Sequence, residues 1–68
     1  MKKISLSLSG HQTSITIEDE FAAELRAIAT RRNTSVAAIV SDIDDTRGAD
    51  TNLSSAVRVW ILNAVKSE

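Results

Sequence analysis

The strongest constraint on this chain is that it must fold at a very small size without cross-links. Its 68 residues include no cysteine and one histidine, so neither a disulfide nor a zinc site of the usual cysteine and histidine ligands can form. A single core in a chain below about 70 to 80 residues seldom contributes more than about 3 to 5 kcal/mol, and a partner chain often supplies the rest. We therefore expect an obligate homodimer, or a tetramer or hexamer built from it.

Two alternating patterns predict β-strands over about residues 4–8 and 12–17. In the first, isoleucine or leucine alternates with serine. In the second, one face carries Thr13, Ile15 and Ile17, and the other carries Gln12, Ser14 and Thr16. Between the strands, glycine at the first position of Gly10-His11 suits a two-residue type II′ hairpin turn. This register keeps the apolar residues on one face and pairs Leu8 with Thr13, Leu6 with Ile15 and Ile4 with Ile17.

Helical periodicity predicts helices over about residues 19–32, 35–46 and 52–66. The first has carboxylates at its N-terminal end, arginines at its C-terminal end, and an apolar stripe of Phe21, Leu25, Ile28 and Ala29. Asn33, which tolerates the left-handed conformation, would end this helix. The second helix follows an N-cap at Thr34 or Ser35 and has the buried face Val36, Ile39, Val40 and Ile43.

The third helix is apolar on more than one side. A short polar loop precedes it, and Thr51 or Asn52 would cap its N-terminus. Its main stripe comprises Leu53, Ala56, Val57, Trp60, Ile61 and Ala64. Because Val59 and Leu62 lie off this stripe, we expect a contact with another copy at Val59, Trp60 and Leu62.

Charge and hydropathy argue against several functions. A net charge of -1 and a pI near 5.7 disfavour strong nonspecific affinity for DNA, and the only aromatic residues, Phe21 and Trp60, lie on apolar helix faces rather than where bases could stack. Each apolar run, such as Val59–Leu62, is too short to cross a bilayer, and the N-terminus lacks the apolar core of a signal peptide. We expect a cytoplasmic protein with no membrane partner.

No pattern in the sequence predicts catalysis, a cofactor, a bound metal ion or a small-molecule substrate. His11 is interpreted as a turn residue, because no second histidine or cysteine could complete a site with it. Asp42, Asp44 and Asp45 lack the spacing, glycine and closing glutamate of a calcium loop, and they are interpreted as a solvated helix face. The serines of the third helix have no base partner.

The segment QTSITI (12–17), which runs directly into the first helix, and the inter-helix turn NTSV (33–36) resemble the ribbon-helix-helix family of Arc-type repressors. The motifs GHQTS (10–14) and NLSSAVR (52–58) are similar to a small bacterial subgroup with an extra N-terminal strand and a third C-terminal helix. The resemblance implies one α+β domain, mostly α, over residues 1–68. In such domains, the strands of two chains form an intermolecular antiparallel ribbon that enters the DNA major groove.

The resemblance also implies roles for individual residues. The outward strand face, which reads bases in this family, corresponds to Gln12, Ser14 and Thr16. The phosphate site at the start of the second helix corresponds to Thr34 and Ser35, with Arg31 and Arg32 close by in the sequence. The dimer core would comprise Ile15, Ile17, Phe21, Leu25, Ile28, Val36, Ile39, Val40 and Ile43.

Two departures from the family pattern bear on function. Strand 12–17 has no arginine or lysine on its outward face, where many family members carry one. In addition, a hairpin in each chain gives a dimer whose sheet has four strands. At a spacing of about 4.8 Å, these strands span about 14 Å. The major groove is only about 12 Å wide, so a sheet of this width would obstruct entry into the groove. The first strand could instead pair elsewhere, for example with a neighbouring dimer.

Two functional hypotheses follow. The first is a sequence-specific, DNA-binding regulator of transcription that is autoregulatory or antitoxin-like and whose partner is double-stranded DNA. The second is an oligomerisation or adaptor module, tetrameric or hexameric, that does not bind DNA. The acidic pI and the strand without a cation favour the second hypothesis, and the family resemblance favours the first.

Overall fold

The computed structural model describes residues 1–68 and contains two strands followed by three helices. Strand β1 comprises Lys2–Leu8 and strand β2 comprises His11–Ile17. The helices are α1 (Asp19–Arg31), α2 (Val36–Thr46) and α3 (Leu53–Ser67). The class is therefore a small α+β domain that is mostly helical. None of these helices is both long enough and apolar enough to cross a membrane.

The hairpin forms within one chain, but in a different register from the predicted one. Its Cα partners include Ile4 with Ile15, Leu6 with Thr13 and Leu8 with His11, so the predicted pairing is wrong by two residues. The turn residues are Ser9 and Gly10, with φ of 51° and 81°. Two successive positive φ angles are what a type I′ turn requires, and its twist matches that of the strands, so the predicted type II′ turn at Gly10-His11 is also wrong.

A shift of two residues does not change which side chains share a face, because the side-chain period of a strand is also two. The inner face of the hairpin therefore carries the predicted apolar side chains, and Leu6, Leu8, Ile15 and Ile17 are all buried. Each strand has one paired edge, because the sheet contains only β1 and β2. The intermolecular ribbon stays a prediction.

One apolar core joins the hairpin to all three helices. It contains 14 buried side chains, none of them polar. The helices contribute Ala22, Leu25, Ile28 and Ala29 from α1, Ile39, Val40 and Ile43 from α2, and Val57, Ile61 and Ala64 from α3. Of the residues predicted for a dimer core, Phe21 and Val36 are half-buried at its margin, and the other seven lie inside this single-chain core. Their contact with a second chain stays a prediction.

The helix ends follow from local hydrogen bonding. Asn33 adopts the predicted left-handed conformation, with φ of 54°, and reverses the chain after α1. Of the two candidates for each cap, the structure selects Ser35 for α2 and Asn52 for α3. The Ser35 Oγ accepts a hydrogen bond from the Ala38 amide at 3.0 Å, and the Asn52 Oδ1 accepts one from the Ser55 amide at 2.8 Å.

The loop between α2 and α3 is held by one arginine. The Arg47 guanidinium donates to the Asp44 Oδ1 at 2.7 Å and to the Thr51 carbonyl at 2.6 Å. These bonds connect the last turn of α2 to the residue before the α3 cap. The direction of α3 is therefore fixed by an ion pair and a backbone contact as well as by its buried face.

The turn geometry predicts different effects for the two glycines. Gly10→Ala should lower the free energy of unfolding by roughly 1 to 2 kcal/mol, because a Cβ there meets no atom within 4 Å and the whole cost is that of the left-handed backbone. Gly48→Ala, where φ is not positive, should leave stability unchanged or raise it by about 0.4 to 1 kcal/mol. Urea unfolding at a fixed protein concentration measures both. Equal losses in the two variants would contradict the turn assignment.

Candidate nucleic-acid interface

The alternation that buries one face of the hairpin exposes the other. Gln12, Ser14 and Thr16 of β2 are exposed, and their Cα partners on β1 are Ser7, Ser5 and Lys3, which are exposed as well. We call this set of six residues the outer face. It carries an amide, four hydroxyls and one ammonium group, and it has no carboxylate. Every side chain on it can donate a hydrogen bond, as contacts to base edges and phosphates require.

Lys3 is the part of this face that the sequence analysis missed. The outward positions of strand 12–17, from which the candidate site was predicted, carry no cation. In the observed register, Lys3 lies opposite Thr16 and adds a positive charge to the same face. The sequence contains the pattern that places Lys3 on this face, because Lys3 continues the alternation of Ser5 and Ser7 by one more step.

The turn before α2 presents donors to solvent. The Ser35 Oγ accepts the capping bond from Ala38, which leaves the Ser35 hydroxyl hydrogen free to donate. The Thr34 amide is engaged with the Ala29 carbonyl at 2.9 Å, so Thr34 offers only its exposed hydroxyl. The amides of Val36 and Ala37 have no acceptor in a preceding helical turn. The first turn of α2 contains no acidic residue that would oppose an anion there.

The two arginines next to this turn have different partners. The Arg31 Nη2 lies 2.7 Å from the Glu68 Oε1 and 3.4 Å from the Glu24 Oε1. The hydrogen bond that Arg31 donates to Glu68, together with the charges of both carboxylates, raises the pKa of Arg31 above its ordinary value. The Arg32 guanidinium lies 5.2 Å from the centroid of the Trp60 ring and forms no ion pair. Of the two, Arg32 is therefore the more available to a phosphate.

Helix α3 exposes apolar side chains that its own chain does not cover. The exposed fractions are 57% for Val59, 55% for Leu62 and 43% for Val65. Trp60 is half-buried and packs against the core, so the three residues predicted for oligomer contact occupy two environments. Val59 and Leu62 are surface residues, whereas Trp60 also stabilises the fold of the single chain.

The remaining candidate residues do not form a chemical site. His11 is exposed at the start of β2, opposite Leu8. Asp44 is bonded to Arg47, and no three histidine, aspartate or glutamate side chains come together as a group that could hold a metal ion.

A hairpin, two helices joined by a serine-capped turn, and a third helix in one core define a small domain of the ribbon, helix, helix type. The chain matches the ribbon-helix-helix domain family over residues 1–65 and belongs to that family. The match extends from β1 into α3, and it confirms the resemblance seen in the sequence. Members of the family are typically dimeric DNA-binding regulators and are generally not enzymes. Comparisons with curated proteins and with solved structures gave no match.

Proposed function

We propose that this protein is a sequence-specific DNA-binding regulator that acts as a homo-oligomer on double-stranded DNA in the cytoplasm. The outer face of the hairpin is the observation that supports this proposal most strongly. Its side chains are exposed, all of them can donate hydrogen bonds, and none is a carboxylate. The Gln12 amide can pair with adenine through two hydrogen bonds, and the hydroxyls of Ser14 and Thr16 can contact several base edges.

The acidic pI disfavours DNA binding only if the charged residues are distributed evenly, and in this chain they are not. All nine acidic residues lie at or after Glu18, so the hairpin contains lysines and no carboxylate. The excess of negative charge belongs to the helices and the loops between them. A DNA duplex that approaches the outer face therefore meets a surface without carboxylates, although the one ammonium group on it, that of Lys3, gives only modest nonspecific affinity.

In the proposed complex, the turn before α2 holds a phosphate. The Ser35 hydroxyl and the amides of Val36 and Ala37 are the donors, and the positive end of the α2 dipole favours the anion. Arg32 adds a charge that no carboxylate neutralises. The exposed Thr34 hydroxyl is a further donor, and Arg31 contributes less because Glu68 and Glu24 already bind its guanidinium group.

The first test is a gel-shift titration of the intact protein against DNA from upstream of its own operon at low salt. We expect a discrete complex that Gln12→Ala weakens by about 5-fold to 150-fold, since a bidentate base contact contributes roughly 1 to 3 kcal/mol of discrimination. Binding to unrelated DNA should change little. His11→Ala, an equally exposed strand residue outside the outer-face set, is the matched control. If the wild-type protein forms no complex, the proposed function is wrong.

The phosphate site is tested by a charge introduced at a helix cap. Ser35→Asp retains a good N-cap, so stability should hold, but the new carboxylate repels a phosphate and should weaken DNA binding at least about tenfold. Asn52→Asp makes a comparable change at the cap of α3 and should leave binding within about twofold, because we place no phosphate there. Fluorescence polarisation and thermal unfolding measure the two effects separately. Equal losses of affinity in both variants would indicate a general charge effect.

A second candidate function is favoured by the exposed side chains of α3. Val59 and Leu62 could join dimers into a tetramer or hexamer that acts as an adaptor without DNA. If so, the double variant Val59→Gln with Leu62→Gln should sediment as a dimer, whereas the wild type sediments as a larger species. Stability of the dimer should change by less than about 0.5 kcal/mol per site, because both side chains are exposed. A wild-type dimer that binds DNA would exclude this alternative.

A further inference from the structure

The position of Lys3 indicates how a four-stranded sheet could bind DNA. This step rests on the proposed function, in which two copies pair through the free edges of their β2 strands. The strand order across the dimer is then β1, β2, β2 of the partner, β1 of the partner. At about 4.8 Å per strand, the two central strands lie about 5 Å apart and the two outer strands about 14 Å apart.

These spacings assign different parts of the DNA to the two strands. The major groove is about 12 Å wide, so the central β2 strands lie over its floor, while the β1 strands lie beyond its edges, over the two phosphate backbones. The sheet is wider than the groove, and its width therefore places β1 where phosphates are. The side chains of β1 that face the DNA are those of the outer face, Lys3, Ser5 and Ser7.

Lys3 is the only charged residue on the outer face. It has no carboxylate partner within its own chain, so binding a phosphate breaks no existing ion pair. Its long flexible side chain can reach past the strand to a phosphate oxygen. Lys2 is adjacent in the sequence and also exposed, but its alternation places it on the opposite face, opposite Ile17.

We infer that Lys3 is a positioning residue that contacts the phosphates flanking the groove and sets the hairpin over the bases that Gln12, Ser14 and Thr16 read. One such contact from each copy clamps the dimer across the groove. The extra N-terminal strand thus supplies the cation that the reading strand lacks. The contact is independent of sequence, because it is made to the backbone.

The experiment compares Lys3→Gln with Lys2→Gln, which remove the same charge from opposite faces of one strand. Polarisation titrations over a series of KCl concentrations use the operon-upstream fragment and an unrelated fragment of equal length. Lys3→Gln should weaken binding to both fragments by the same factor and lower the slope of log K against log salt by about 0.9 for each lost contact, or about 2 for a dimer. Lys2→Gln should leave both quantities near wild type, and Lys3→Arg should restore them.

The other possible results distinguish an error in this inference from an error in the proposed function. If Lys3→Gln and Lys2→Gln behave alike, Lys3 has no specific contact and the inference is wrong while the regulator function stands. If Lys3→Gln changes the preference between the two fragments, Lys3 reads a base, and the phosphate assignment is overturned. If the wild-type protein binds neither fragment, the proposed function and this inference both fall. Circular dichroism of each variant checks that the exposed substitutions leave the fold intact.

Discussion

The packing of the inner face of the hairpin against three helices is the interaction on which the rest of this structure depends. Leu6, Leu8, Ile15 and Ile17 join the helices in a core that contains no polar side chain. Because successive strand residues point to opposite faces, burial of these four side chains also determines which residues are exposed on the other side. The outer face is thus a direct consequence of the core. A change of strand face would bury Gln12 and Ser14 and expose isoleucines, so the core enforces the polar outer face.

Charge in this chain is separated along the fold, and its net value is therefore a poor guide to function. The acidic residues lie in the helical part, where Arg31, Arg47 and Arg58 are paired with Glu68, Asp44 and Glu18 at distances from 2.7 to 3.8 Å. These pairs neutralise much of the basic charge of the helices. Lys2, Lys3, Arg26, Arg32 and Lys66 have no carboxylate partner. The hairpin and the turn before α2 therefore each carry a cation available to an anion, which a count of charges over the whole chain does not show.

Sequence periodicity predicted which residues share a face, but it did not predict the hairpin register or the full candidate site. The faces follow from a period of two or 3.6, which does not change when a strand slides by two residues. The register depends on turn chemistry, and Ser9 at φ of 51° is an uncommon conformation for a residue other than glycine, asparagine or aspartate. Lys3 was missed for a different reason: its face follows from the alternation of β1, but only the outward positions of strand 12–17 were considered. The contact of Arg31 with Glu68 could not be predicted, since Glu68 is distant in sequence and meets Arg31 only when α3 packs on α1.

The extra strand also changes how a ribbon of this kind is protected from further pairing. In a dimer built through β2, the unpaired edges of the sheet are those of β1, and exposed edges invite association with other strands. The lysines at the start of β1 oppose such pairing, because charged side chains are disfavoured where a neutral strand would add. Lys2 and Lys3 extend to opposite faces of that edge, so one cation can serve the DNA side while the other remains on the side of the helices. A single short basic segment therefore combines protection of the edge with the contact proposed for the phosphate backbone.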